Sequence, residues 1–511
     1  MTQHYFSRLA VLPLLIFLSS LLTPDTSAQQ VGDKIYSTEE TTISGGAEFN
    51  RLLQEAIRSG NADNFIYSGN FTPPTSNSLN TTTTFDGFDY DDNPVYNGGF
   101  SFIPPDPFGV GGLDRVIAVV NTMIECRDTT GTLLWQDDLA GFFTSLTPTT
   151  FTFDPKVIYD QYENRFVVVD LEQVDSGVNP DTSNISRIFL AVSKTSMPST
   201  ATSAAWWYTA IDAKEVIGGA DHWADYPGFA IDEEAVYVTA NMFAHVTGLF
   251  GGTRLWIIDK GVTAGFYGGG AASVTGGWDF PGLSAGAVAT GHQPAHVFGT
   301  GGAGATVGTY LVAYSGISDG VSEYIQVIRV DDPLGTPTFS AAEFVPLGNI
   351  EGPSFPALPD APQSGSATEI EVNDRRALHA VWRNNSLWLT TTINPNSGPD
   401  IGQTTAHWVQ LNTIIPGSTT FTDQGDAGGE DIATGTFTFF PSIAVNSNED
   451  VIVGFSASAS TIFPGAYYAG RFVGDPAGTV NSSVVVRTGL DFYVRTFGTP
   501  KNRWGDYTGA S

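Results

Sequence analysis

The chain has 511 residues, and its 22 Lys+Arg against 53 Asp+Glu give a formal net charge of −31. A surface of that sign repels nucleic acid and anionic lipid, so neither is an expected partner. Only 15% of residues are charged, while 34 Phe, 18 Tyr and 10 Trp accompany abundant Thr, Ser, Asn and Gly; this is the composition of a turn-rich all-β protein and not of a disordered one.

The first residues read as a leader. Arg8 gives a positive start, Leu9 to Leu22 an apolar core, and Thr-Ser-Ala a small-residue cleavage site at Ala28, before Gln29. The apolar run is too short for a membrane span, and Pro24 and Asp25 follow it closely. No later stretch is apolar and long enough to cross a bilayer. The expected mature protein is secreted or surface-associated, and a monomer. Cys126 is the only cysteine, so the core must hold the fold without an internal disulfide. Within the apolar run VNTMIECRDT, Cys126 reads as a buried structural thiol and not a nucleophile.

Residues 29–99 form an N-terminal extension and linker. One helix is expected at Ala47 to Ser59, where Phe49, Leu52, Leu53, Ala56 and Ile57 share a face and Gly60 stands as a C-cap. The stretch TPPTSNSLNTTTTFDGFDYDDN then reads as extended. Its acidic cluster, Asp86, Asp89, Asp91 and Asp92, lacks the glycine and distal glutamate of an EF-hand and reads as a solvated loop. No motif supports a calcium site, and no cofactor or metal is expected.

From residue 100 a rhythm sets in. DPKVIYDQYENRFVVVDL opens a unit of four candidate strands, continued by SRIFLAVSK and AAWWYTAID. Four more units repeat that order, with first strands near residues 155, 227, 294, 376 and 441. Upstream, DRVIAVVN, MIECRDT and GTLLWQ make a partial unit. Repeated four-strand units predict a single β-propeller of six or seven blades over 100–511, with the short proline-led strands innermost. An antiparallel sandwich, the alternative, has no reason to repeat such an order.

Two stretches share W-x-D-Y-x-G: HWADYPGFAID from His222 and RWGDYTGAS from Arg503. The phrase reads as a blade opening. The Asp225 and Asp506 carboxylates would cap turn amides, and Trp223 and Trp504 would pack between sheets. On this reading the second copy begins the innermost strand of one more blade. The chain would then be a fragment or an early-terminated product, its last blade incomplete or completed by N-terminal strands.

Phe85 to Gly131 contains F-D-G, the stretch PPDPFGVGG, a strand ending in Val120-Asn121, and Asp128-Thr-Thr-Gly131. With DPKVIYDQYENRFVVV and RWGDYTG, it resembles uncharacterised secreted bacterial β-propeller-like proteins that carry P-P-D-x-x-G-x-V-G and R-W-G-D-Y-[ST]-G segments. The resemblance covers most of Phe85 to Ser511 and implies an extracellular propeller without naming an activity. The chain departs from that pattern at Gly111-Gly112, where the family tends to have Gly-Pro, and after the R-W-G-D-Y segment, which more strand usually follows.

Catalytic signatures are absent from the sequence. There is no Asp-box S-x-D-x-G-x-x-W, no F/Y-R-I-P start, and no spacing that joins Arg376, Arg383, Arg471, Arg495 and Arg503 into a carboxylate clamp. Nor is there a G-x-S-x-G elbow, a P-loop or a dinucleotide fingerprint; GTGGAGATVGTY joins two strands as a flexible loop. Asp154, Asp225 and Asp506 stand near blade openings, where turn capping competes with paired-carboxylate chemistry. His222, His296 and His379 fall at or near inner strands without metal-ligand spacing. Trp206 and Tyr208 share one face of a strand, for packing between blades or for stacking on sugar rings. With Arg376 and Arg503, these residues are the binding candidates; none is assigned a catalytic role. The expected function is non-catalytic binding of a glycan or protein ligand, with a glycan-active hydrolase or lyase using channel carboxylates as the alternative.

Overall fold

A computed structural model of the chain describes residues 83–510 apart from 90, 98–101, 280–290, 300–306, 315–316, 320, 353–354, 356 and 497–500. The leader and the helix expected at Ala47 to Ser59 lie outside the described residues. No described helix is long and apolar enough to cross a membrane.

Six sheets of four or five strands follow one another along the chain and stand around a common axis as a six-bladed β-propeller. Their innermost strands are Phe108–Gly111, Phe153–Asp160, Ala220–Ile231, Gln293–Pro294, His379–Arg383 and Phe437–Val445. The last five coincide with the unit starts expected from sequence, four of them proline-led. The upstream unit is a complete blade, because Phe108–Gly111 pairs with Arg115–Val120 as its inner strand.

Both faces of each sheet are covered by neighbouring blades, which is why the middle strands are continuous apolar runs with no polar alternation. Arg165–Val174 shows the consequence. Val167, Val169 and Leu171 point one way and pack with Val236 and Val238 of the third blade. Phe166 and Val168 point the other way and pack with Ile117, Val119 and Cys126 of the first. Successive side chains of one strand thus cement two different seams. Cys126 is fully buried there, and burial pushes its thiol up to about 12, which makes it inert at neutral pH. Gly112 keeps the same seam tight, since a Cβ there would lie 2.6 Å from the Phe166 ring.

Blades four and five share a different seam. After Gln293–Pro294 pairs within its own blade, His296–Phe298 crosses to pair in parallel with His379–Arg383.

The C-terminal copy of W-x-D-Y-x-G does not open a further blade. The sixth blade already owns four strands, Phe437–Val445, Val451–Ala459, Ile462–Arg471 and Val484–Arg487. Arg503 makes one isolated parallel bridge to Glu371, and the following residues cross the axis. Trp504 Nε1 donates to Ser456 Oγ at 3.0 Å and Thr508 Oγ1 to the Phe440 carbonyl at 2.8 Å, both on the sixth blade. The Tyr507 hydroxyl donates to the Pro155 carbonyl of the second blade at 3.3 Å. A Cβ on Gly509 would lie 2.5 Å from the Phe108 ring of the first. The first copy can form a strand because Phe229, Ala230 and Ile231 follow it into the core.

Tyr507 is fully buried at this junction. Tyr507→Ala is expected to cost about 3–5 kcal/mol of unfolding free energy, read from the denaturant midpoint. Val473→Ala, at a site 65% exposed, should shift it by no more than about 0.5 kcal/mol.

Candidate functional site

A repeated bulge decides what reaches the axis. In the second blade Phe153 pairs with Leu171 and the next pair is Lys156 with Val169. The third blade skips in the same way between Asp225 and Gly228, and the sixth between Phe439 and Ser442. In each case two inner-strand residues oppose one. The second of the two is Pro155, Pro227 or Pro441, which cannot donate to the ladder. The first, Asp154, Tyr226 or Phe440, has φ of 55°, 52° or 50°. Asp106, before Pro107 at the head of the first blade, has φ of 45°. Left-handed backbone is uncommon for any of these residue types and an outlier for bulky Tyr and Phe; its recurrence at one level of the ring marks a constrained site.

The side chains that meet there are mostly carboxylates. Asp106 Oδ2 accepts from Asn121 Nδ2 at 2.6 Å, and its Oδ1 accepts the Asp506 amide at 2.6 Å. Asn121 Oδ1 in turn holds the Asp154 amide at 2.8 Å. Asp506 Oδ1 accepts from Arg503 at 2.5 Å and from Asn373 Nδ2 at 2.6 Å. Asp225 Oδ1 accepts the Tyr226 amide at 3.0 Å, a turn cap of the expected kind. For Asp506 the carboxylate partners are side chains instead of turn amides. Arg376 pairs with Asp374 and lies 4.2 Å over the Tyr226 ring. The two motif copies therefore face each other, with the Tyr226 and Tyr507 rings 5.9 Å apart and Asp225 and Asp506 within each other's field.

Lys156 is buried beside them, its ammonium 4.2, 5.3 and 5.9 Å from the Tyr507, Tyr226 and Phe108 ring centroids. Aromatic faces offset part of the cost of burying that charge. Burial nevertheless pulls Lys156 down to about 7, with Asp154 and Asp106 opposing it.

Proton affinities across the cluster are driven apart. Burial, then the Asp506 charge, pushes Asp106 up to about 8. Burial, then Asp225, raises Asp154 well above the usual carboxylate range. Asp225 rises to about 6 through burial and then Asp506. Burial also pushes on Asp506, but Arg503 and Arg376 outweigh it and hold that carboxyl below its ordinary value. One partly open site thus contains an ionised carboxylate beside one that keeps its proton to about pH 6, the separation that assigns acid and base roles. Among the described residues, no three His, Cys, Asp or Glu side chains are grouped to hold a metal ion.

Of the residues singled out from sequence, the fold assembles Asp154, Asp225, Arg376, Arg503 and Asp506. His296 and His379 line the far end of the axis. His222 lies near the outer start of its strand, Nδ1 2.9 Å from the Ala220 carbonyl oxygen. Trp206 is 1% exposed and packs on Phe142 with Nε1 bonded to the Thr200 carbonyl, while Tyr208 packs on Phe142 and Phe143. That aromatic face is spent on the seam between the first two blades, so it does not serve as a sugar-stacking platform. Sequence reasoning missed Asp106, Lys156 and Asn121. The signal was the recurring X-Pro of PPDPF, FDPKV, DYPGF and FFPSI.

No family model matches the chain, and no curated protein does. Among solved structures it is similar to a thermostable family-43 glycoside hydrolase, at 11% identity and a TM-score of 0.29 over 73% of this chain and 94% of that one. An exo-beta-1,3-galactanase from Clostridium thermocellum gives 10% and 0.31 over 76% and 78%. A glycosyl hydrolase from Bacteroides ovatus gives 11% and 0.29 over 66% and 86%. Likeness at this level carries no argument about activity.

The raised Asp225 sets a stability trend. Its folded pKa of about 6 lies above its unfolded value of 3.8. The native state therefore binds the proton more tightly, and stability is lost as pH rises through that window. Asp225→Asn keeps an acceptor for the Tyr226 amide and cannot ionise. Its denaturant midpoint should gain on the natural chain between pH 4 and pH 6 and run parallel above pH 7. A constant offset across the range would contradict the placement.

Proposed function

We propose that the chain is an exported propeller hydrolase that cleaves neutral glycans at the carboxylate end of its axis. The observation that carries this reading is the pair Asp225 and Asp506, whose proton affinities are shifted in opposite directions within one site. Acid–base cleavage of a glycosidic bond needs such a pair, one carboxyl to protonate the leaving oxygen and one carboxylate to activate water or attack. Asp225 fits the acid. Asp506, held ionised by Arg503, fits the base or nucleophile. Asp154 and Arg376 border them and offer an acceptor and a donor for sugar hydroxyls. A net charge of −31 disfavours polyanionic substrates.

A second reading is non-catalytic glycan binding. It is favoured by the bonds of Asp506 to Arg503 and Asn373, together with its amide on Asp106, which also serve to clamp the C-terminal segment.

The test runs the purified chain against 4-nitrophenyl glycosides of neutral pentoses and hexoses, neutral polysaccharides and, in parallel, a glycan array. Turnover should fall above about pH 6, where Asp225 loses its proton. Asp225→Asn should lower kcat by about 10²–10⁴-fold, the usual contribution of a positioned acid, while array retention persists. Retention without turnover supports the binding reading. Neither turnover nor retention removes both.

A further inference from the structure

The opposite end of the axis has a different chemistry. Where the inner strands finish, a cavity of about 410 Å³ opens, walled by Phe108, Val157, Ile158, Val381, Ile443 and Val445. Ala510 of the C-terminal segment also lines it. The size falls within the range of small-molecule sites, and so does the apolar lining with a few polar groups.

Those polar groups are nearly all engaged. His296 Nε2 is 2.9 Å from Gln161 Oε1, and His379 Nδ1 is 2.9 Å from the Ile443 carbonyl oxygen. Burial holds both rings neutral, at about 3 and about 4. Arg471 is paired with Asp423 at 2.6 Å. Asp450 accepts from Asn446 Nδ2 at 3.0 Å and from the Val473 amide at 3.1 Å.

Arg383 is the charged side chain of this lining with neither a hydrogen bond nor an ion pair among the described residues. It ends the strand that pairs with His296–Phe298, and its guanidinium lies 4.2 Å over the Phe298 ring. Among the described residues its buried Nε has no hydrogen-bond partner. Burial lowers its proton affinity, and the opposing influence comes from Tyr162, not from a carboxylate. A buried donor left unmade is costly, and among the described residues no carboxylate pairs with this cation in so acidic a chain.

We propose that this cavity binds a small amphiphilic carboxylate, with its aromatic or branched apolar body in the hollow and its carboxylate on the Arg383 guanidinium. An apolar body alone would leave Arg383 unsatisfied. A bare anion would leave the walls unfilled. The planar guanidinium fork matches a carboxylate in two parallel hydrogen bonds. The site is independent of the glycan reading, since none of the carboxylate cluster lines it.

Calorimetric titration of the full chain decides the matter, with trans-cinnamate and 4-tert-butylbenzoate as probes. The corresponding alcohols, acetate and inorganic phosphate are the comparisons. The aromatic carboxylates should bind at least about tenfold tighter than the alcohols, as a charge-assisted pair gives, and acetate and phosphate should not compete. Arg383→Met should erase the preference and leave the alcohols' affinity unchanged, and Val381→Trp should remove binding of both. Far-UV circular dichroism checks each variant. Should Arg383→Met not fold, Arg383→Lys, which keeps the charge but not the fork, should retain a reduced preference. Equal binding of acid and alcohol, no binding of the acids at millimolar concentration, or an undiminished preference in either Arg383 variant overturns the proposal.

Discussion

The molecule turns on the passage of Arg503 to Ala510 across the propeller axis. A ring of six sheets has to join its last blade to its first, and this segment reaches both. Trp504 and Thr508 bind the sixth blade, Gly509 lies against Phe108 of the first, and Tyr507 reaches Pro155 of the second. Its cost is electrostatic. Bringing Asp506 to the axis places a charge beside Asp106, Asp154 and Asp225, all held in surroundings that disfavour ionisation. Arg503, Arg376 and Asn373 offset that charge, and the neighbouring carboxyls respond by keeping their protons.

The same segment divides the axis into two chemistries. On one side stand carboxylates, arginines and the caged Lys156. On the other is the apolar cavity, with Ala510 in its wall. Phe108 belongs to both, since its ring faces Lys156 and also lines the cavity. Phe108 thus connects the cavity wall with the aromatic cage around Lys156.

The blades were legible because each strand states its own burial. RFVVVDL and AVYVTAN are apolar on both sides since a neighbouring blade covers each face, and proline breaks mark where each unit starts over. Asp154, Asp225, Arg376, Arg503 and Asp506 could be singled out because they lie next to those breaks. Their convergence could not be read, for it depends on strands 70 to 350 residues apart meeting at one level of the ring, as the Tyr507 to Pro155 bond, 352 residues long in sequence, shows. For Tyr208 alternation along a strand tells which rings share a face but not which of the two readings holds; its contacts with Phe142 and Phe143 are those of packing between blades.

By itself, then, the sequence determined the class of fold, the order of the strands and the stations of the bulges, all consequences of local apolar pattern and of proline's missing donor. The tertiary structure alone decided that the second W-x-D-Y-x-G crosses the axis instead of opening a blade, that Asp225 and Asp506 share one electrostatic field, and that Arg383 lines an apolar cavity with no ion pair among the described residues. These outcomes rest on long-range closure and on charge–charge distance, which fall steeply with separation in space and are unrelated to separation along the chain.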